Sequence, residues 1–141
     1  MKILVTGGAG FIGSNVVDGY IQAGHEVLIL DNLYTGKRAN VNPQARFYEL
    51  DIRSPDAAQV VLEEQPDILN HHAAQMSVPA SVSDPRFDAD VNIRGFLNLL
   101  DGFSIEIRKT LLLHAQTLAS IKPELGFHFL LKAGDLLELI E

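Results

Sequence analysis

Thr6-Gly7-Gly8-Ala9-Gly10-Phe11-Ile12-Gly13 is the stretch whose reading decides the fold. Ile3-Leu4-Val5 precedes it, a short apolar run suited to a strand buried on both faces. Phe11, Ile12, Val16, Val17, Tyr20 and Ile21 follow at helical spacing, and Ala23-Gly24 supplies the glycine that commonly closes a helix. Glycines between a strand and a helix carry information that the same residues elsewhere would not. Gly7 permits a tight turn, Gly10 leaves the backbone open to a diphosphate, and Gly13 lets the helix pack close to the sheet. The first-turn amides of that helix, at Phe11 and Ile12, then face the diphosphate. A turn that merely joins two elements is the competing reading, and it leaves unexplained why three glycines coincide with the right elements.

Further along the chain the same alternation repeats. Glu26 to Asp31 reads as a second buried strand, Asn32 to Pro43 as a turn-rich loop, and Phe47 to Leu50 as a third strand. Ser54-Pro55-Asp56 offers a capping hydroxyl, a first-position proline and a first-turn acid to a helix that Pro66 stops. Asp67 to Asn70 begins a fourth strand, and Asp84-Pro85 repeats the capping device before a helix with Phe87, Val91, Phe96, Leu97 and Leu100 on its apolar side, weakened slightly by Gly95. Strands alternating with helices imply parallel β-α-β units. The expected fold is therefore α/β: a three-layer, Rossmann-like parallel sheet in the order 3-2-1-4, with helices on both faces. Asp31 ends the second strand 18 positions beyond Gly13, close to where an acid that bonds an adenosine ribose belongs. A carboxylate there favours NAD and repels the 2′-phosphate of NADP. Lys37 and Arg38 stand close enough in sequence to soften that repulsion, although a solvated loop pair is the simpler reading. Asp31 as an ordinary turn former is the alternative, weighed against its register with the glycines.

Composition narrows the possibilities from the other side. The chain has 141 residues, 47% hydrophobic and 21% charged, enough for one domain with a real core. Its net charge of -7 is the wrong sign for binding nucleic acid through bulk electrostatics. No cysteine is present, so thiol chemistry, disulfides and cysteine metal sites are excluded. His71 and His72 invite a metal reading, but neighbours on a strand point to opposite faces and no spaced partner set accompanies them. No apolar run reaches the roughly 18 residues of a membrane span, and the start has no signal-peptide layout, so the expected setting is the cytoplasm, without a membrane partner.

Taken as an ordered set, Thr6 to Gly13, Asp31-Asn32-Leu33, Asp51-Ile52, His72-Ala73-Ala74-Gln75 and Asn92-Ile93-Arg94-Gly95 resemble the amino-terminal half of the extended short-chain dehydrogenases/reductases. Within that family the resemblance is to the nucleotide-sugar epimerases of the UDP-glucose 4-epimerase type, and it covers residues 1 to 101. It implies an NAD kept bound while a sugar hydroxyl is oxidised and then reduced from the other face. It further implies that Asp51 bonds the adenine amine beside the Ile52 backbone, with Asn32 next to Asp31. Ala73, Ala74 and Gln75 would line the diphosphate and nicotinamide-ribose side, and Asn92 would hold the loop after the fourth strand. A lysine often stands in the family where this chain has Gln75. Read without the resemblance, Asp51 simply ends a strand and Asn92 is a polar helix residue facing solvent.

The family's chemistry needs a tyrosine four residues before a lysine, whose ammonium lowers the phenol's pKa so that it can take a sugar proton. The tyrosines here are Tyr20, Tyr34 and Tyr48, followed four positions later by Gly24, Arg38 and Ile52. The expected chain is thus an NAD-binding domain without a catalytic residue, reading as a truncated or chimeric fragment. Ser104 and Ser120 offer no base, and His114 and His128 read as core residues of an apolar helix and strand. From Gly102 the sequence turns leucine-rich and contributes one of the seven net negative charges. Residues 102 to 141 are read as a tail foreign to the family: a helix over Ile105 to Ile121, a strand over Phe127 to Leu131 that could extend the sheet as strand 5, and a short helix over Asp135 to Ile140. Two other readings stay open here, a structural or engineered fragment with an empty site and an active enzyme with a reorganised one. Self-association, as a homodimer through the helix 85 to 101 or through the tail, is expected from an exposed sheet edge and from Leu111, Leu112, Leu118, Leu136, Leu137 and Ile140.

Overall fold

The computed structural model describes residues 1–104 and 130–132. Four parallel strands, β1 (Lys2–Thr6), β2 (Glu26–Asp31), β3 (Arg46–Glu49) and β4 (Ile68–His71), form a sheet in the order β3-β2-β1-β4. A fifth strand, β5 (Leu130–Lys132), lies beyond β4 and pairs with it antiparallel. The fifth position is as expected; the direction is not. An antiparallel edge strand on an otherwise parallel sheet is a common arrangement. The same strand covers the outer edge of β4, which had been expected to lie open. The helix over 105 to 121, residues 127–129 of the expected strand, and the last helix lie outside the described residues.

Alternation along the strands sorts the core into two faces. Leu4, Leu28, Leu30 and Leu69 pack with Ala57 and Val61 of α2 (Pro55–Glu64) and with Leu99, Leu100 and Phe103. Ile3, Val5, Val27, Ile29 and Ile68 turn the other way, onto Val17, Tyr20 and Ile21 of α1 (Phe11–Gln22). Every one of these strand residues is buried, because a helix covers each side of β1, β2 and β4. At roughly 1.5 to 3 kcal/mol per large apolar side chain, these two faces supply the main folding drive.

Local chemistry sets the element ends, with some departures from expectation. Asp84 caps α4 (Pro85–Ala89) by accepting from the Phe87 amide at 3.0 Å. Ser54 does not cap α2 with its hydroxyl: the Ala57 amide bonds the Ser54 carbonyl at 3.0 Å, leaving the buried Oγ without a partner among the described residues. A short helix, α3 (Val78–Ser83), precedes α4 where none was expected, capped by the Ser77 hydroxyl. The helix expected from Asp84 to Asp101 is broken in character, since a π-helical turn, Asp90–Gly95, separates α4 from α5 (Phe96–Asp101). At the amino ends of the strands, Glu64 accepts from Tyr48, Lys2 and Arg46, and these bonds, the Tyr48 hydroxyl first, hold its carboxyl down at about 2.

The opposite, carboxyl end of the β1–β4 seam holds a different network. Thr6 is fully buried; its Oγ1 lies 2.7 Å from His71 Nδ1 and accepts from the His72 and Ala73 amides at 3.2 Å each. A hydroxyl already accepting two bonds donates its proton to the imidazole, so Nδ1 is the unprotonated nitrogen. Burial, with His72 adding to it, pushes the His71 pKa down to about 4. The unfolded chain takes up this proton near pH 6.5 and the folded chain does not, so stability present above pH 6.5 is lost as the pH falls toward 4. We expect this loss to reach roughly 3 kcal/mol, at about 1.4 kcal/mol per pK unit. Urea-unfolding midpoints measured across pH 7 to 5, above the range where Glu64 and Asp51 take up protons in the unfolded chain, should fall for the native chain and stay nearly level in His71→Gln.

Candidate functional site

The carboxyl ends of β1, β2, β3 and β4 meet along one edge of the sheet, where β1 lies between β2 and β4 and the strand order reverses. Open parallel sheets bind ligands at such a crevice. Gly7 leaves β1 with φ +68°, and its amide bonds the Leu30 carbonyl at 2.9 Å. A side chain there would be strained in backbone and would also stand 2.7 Å from the Ala73 nitrogen. Gly13 is needed for closeness of another kind: a Cβ would lie 2.8 Å from the Gly7 carbonyl carbon and 2.9 Å from Gly8 Cα. The helix is thus pressed onto the turn itself, more than onto the sheet.

At Gly10 the surroundings open. A Cβ would meet only the Gly7 carbonyl oxygen, at 3.1 Å. Gly10 is also the N-cap of α1; no side chain caps that helix and its first turn holds no acid. The positive end of a 12-residue helix therefore points outward with its amides at Phe11 and Ile12 available, and both of those side chains are exposed.

The second strand locks this turn in place. Asp31, 7% exposed, accepts from the Ala9 amide at 3.0 Å through Oδ2 and from the Leu33 amide at 2.8 Å through Oδ1. The Ala9 carbonyl in turn accepts from the Lys37 amide at 3.0 Å and from Asn40 Nδ2 at 2.9 Å. The loop 32–40 is thereby folded against the glycine turn, with Leu33 held at φ 57°. Arg38 is engaged elsewhere, bonded to Glu49 at 2.9 Å with its guanidinium over the Phe47 ring, so it does not neutralise Asp31.

Asp51 stands beyond β3. Its carboxylate accepts from Arg53 Nε at 2.9 Å, Arg53 Nη2 at 2.8 Å and Asn32 Nδ2 at 3.0 Å. The Arg53 bonds are the main reason that its pKa is held at about 2, against a burial that works to raise it. It stays an ionised acceptor throughout the physiological range. Ile52 beside it is buried against the core.

After β4 the chain passes through Ala73, exposed Ala74 and Gln75. Asn92 grips this loop at both sides of one residue: its Oδ1 accepts from the Gln75 amide at 2.8 Å and its Nδ2 donates to the Gln75 carbonyl at 2.9 Å. Asn92 is therefore half-buried and engaged, not a solvent-facing helix residue. The Gln75 side chain is also occupied, with Ser77 of its own loop, Ser81 of α3 and Asp88 of α4. His71 faces Thr6 and Phe96, and among the described residues no group of three His, Asp or Glu is placed to hold a metal. Nor, among those residues, is any helix long and apolar enough to cross a membrane.

Asn32, Asp31, Asp51, the glycine turn, residues 73–75 and Asn92 are thus brought to one edge. Asn40, Arg53 and Asp90 also act there and were not singled out from the sequence. Arg53 carried one signal, its position two residues after Asp51, and Asp90 another, its i,i+4 spacing from Arg94; the Asn40 bond to Ala9 and the Asp90 bond to Arg53 carried none, since they span 31 and 37 positions.

These features are shared with known proteins. The model of the NAD dependent epimerase/dehydratase family matches residues 3–124, a span that runs past Asp101. A UDP-glucose 4-epimerase of Lacticaseibacillus casei is 45% identical over 105 residues, 74% of this chain and 32% of its own length. The Thermus thermophilus UDP-glucose 4-epimerase solved in complex with NAD superposes with a TM-score of 0.69 at 48% identity, over 72% of this chain and 33% of that one. The Thermotoga maritima UDP-glucose 4-epimerase solved with UDP-glucose gives 0.70 at 48%, with the same coverage. The chain thus spans about a third of the length of the relatives it matches. With its fold, its glycine turn and 122 of its 141 residues accounted for by one family model, the chain belongs to the NAD dependent epimerase/dehydratase family.

Proposed function

We propose that this chain is the NAD-binding part of a nucleotide-sugar epimerase and that, as it stands, it binds the dinucleotide without turning over a sugar. The observation that carries the reading is the uncapped start of α1 above Gly10, aligned by Asp31 through the Ala9 amide. In it, Gly7, Gly10, Phe11, Ile12 and Gly13 receive the diphosphate, which needs amides and an absent side chain. Asp31 and Asn32 flank the adenosine ribose, and Asp51, with the Ile52 backbone, accepts from the adenine amine. Ala73, Ala74 and Gln75 line the diphosphate and nicotinamide-ribose side, with Asn92 holding that loop. The negative charge at Asp31, free of Arg38, supports NAD over NADP. NAD supplies hydride exchange when bound; the residues described here bind it, orient it and shield its diphosphate, and none of them stands as a general base toward a sugar. The relatives solved with NAD and with UDP-glucose support the reading.

A homodimer belongs to the same proposal. Ile93 and Leu97, four residues apart on the helical run 85–101, are 58% and 48% exposed, and an apolar pair of that kind gains from burial against a second copy.

Three outcomes are expected. Calorimetry should detect NAD binding, weakened at least tenfold in Gly10→Val, whose side chain would occupy the diphosphate position; no heat with the native chain at millimolar NAD, or equal binding by the variant, contradicts the reading. A coupled assay with UDP-galactose and excess NAD should show no turnover by this chain, because general-base catalysis alone is worth about 10² to 10⁴-fold and none of the residues proposed for the site is such a base. Light scattering over a concentration series should give the mass of two chains, and a monomer mass throughout would remove the dimer.

A further inference from the structure

One turn of the structure touches both ends of the proposed dinucleotide site. The π-helical segment Asp90–Gly95 interrupts an otherwise α-helical run, and such turns are rare and frequent at functional sites. Asp90 accepts from Arg53 Nη1 at 3.1 Å and from Arg94 Nη1 at 2.7 Å. The other two Arg53 nitrogens hold both oxygens of Asp51, and its guanidinium lies 5.4 Å from the Phe87 ring centroid. Two residues beyond Asp90, Asn92 clamps the backbone of Gln75 on the far side of the glycine turn. Gly95 closes the segment against Ile52, where a Cβ would be 2.6 Å from the Ile52 Cδ1. The loop after β3 and the loop after β4, at opposite ends of the four-strand edge, are therefore fastened to the same six residues.

We propose that the turn Asp90–Gly95 is a positioning element that sets the two ends of the dinucleotide site together, with Asp90 acting through Arg53 on Asp51 and Asn92 acting on Gln75. Asp90 is a positioning residue in this scheme and touches no ligand. The inference rests on the reading that NAD occupies this edge. Displacing the turn at one end moves the other, because the contacts are side-chain bonds from a rigid helical segment. The pair Asp90–Arg53 is partly exposed, and pairs of that kind are worth a few-fold in an equilibrium constant.

The test uses the native chain and calorimetric titration with NAD, with AMP as a probe of the adenine end alone, and with nicotinamide mononucleotide for the other end. Asp90→Asn should weaken AMP about two- to fivefold with an unchanged melting midpoint, and Asp90→Glu should restore it. Asn92→Ala should weaken AMP as well, although Asp51 and Gln75 follow strands at opposite ends of the four-strand edge. If Asn92→Ala does not fold, Arg53→Met supplies the reverse arm and should weaken nicotinamide mononucleotide. AMP affinity unchanged in Asp90→Asn or in folded Asn92→Ala overturns the inference, as does unchanged mononucleotide affinity in Arg53→Met. If the native chain binds NAD but the crossed effects are absent, the inference alone fails. If it binds none of the three nucleotides, the cofactor reading fails and carries the inference with it.

Discussion

The hydrogen bond from the Ala9 amide to the Asp31 carboxylate is the constraint on which the site depends. It joins the turn after β1 to the end of β2, and it is buried, where leaving either partner unsatisfied would cost on the order of 1 to 3 kcal/mol. With Ala9 held from its nitrogen by Asp31 and from its carbonyl by Lys37 and Asn40, the turn has one orientation available. Helix α1 starts where that orientation leaves it, and Gly13 presses it onto Gly7. The direction of the helix dipole at Gly10 is therefore a consequence of a side chain on another strand.

This arrangement also explains how a chain of net charge -7 can be suited to an anionic dinucleotide. Attraction comes from backbone amides at one helix start, a field that falls off within about a turn and is indifferent to the overall charge. In the proposed reading the acids face a donating ribose or amine, and two of the basic groups nearby are engaged: Arg38 with Glu49, and Arg53 with Asp51 and Asp90. Arg53 makes Asp51 a permanently ionised acceptor without supplying a free cation to the site.

The π-helical turn departs from what local propensity favours. Asp90, Val91, Asn92 and Ile93 are mildly unfavourable in a helix and Gly95 more so, but none of these preferences selects a π turn over an α turn. The segment is fixed from outside, by Arg53 at Asp90, by Gln75 at Asn92 and by Ile52 at Gly95. Seen alone, Gly95 weakens a helix; in the fold it removes a side chain from a contact that has no room for one.

The sequence by itself determined the strand order of the parallel sheet, the extents of β2 and α1 nearly to the residue, and the positions of the glycine turn and Asp31, while Asp51 was marked only through a resemblance. These are local or periodic signals: apolar runs of strand length, helical spacing, and glycines at a strand-to-helix junction. Tertiary structure decided the rest. Arg46 rather than Phe47 opens β3 because pairing with Leu28 extends that far. The Ser54 hydroxyl is not the cap, since its own carbonyl takes the amide. β5 pairs antiparallel with β4, a direction that no local pattern encodes. Asn92 was assigned to the loop after β4 only through a resemblance, since polarity in a helix says nothing about a partner 17 positions away. Contacts over such separations depend on how the elements pack, and no window of sequence contains both partners.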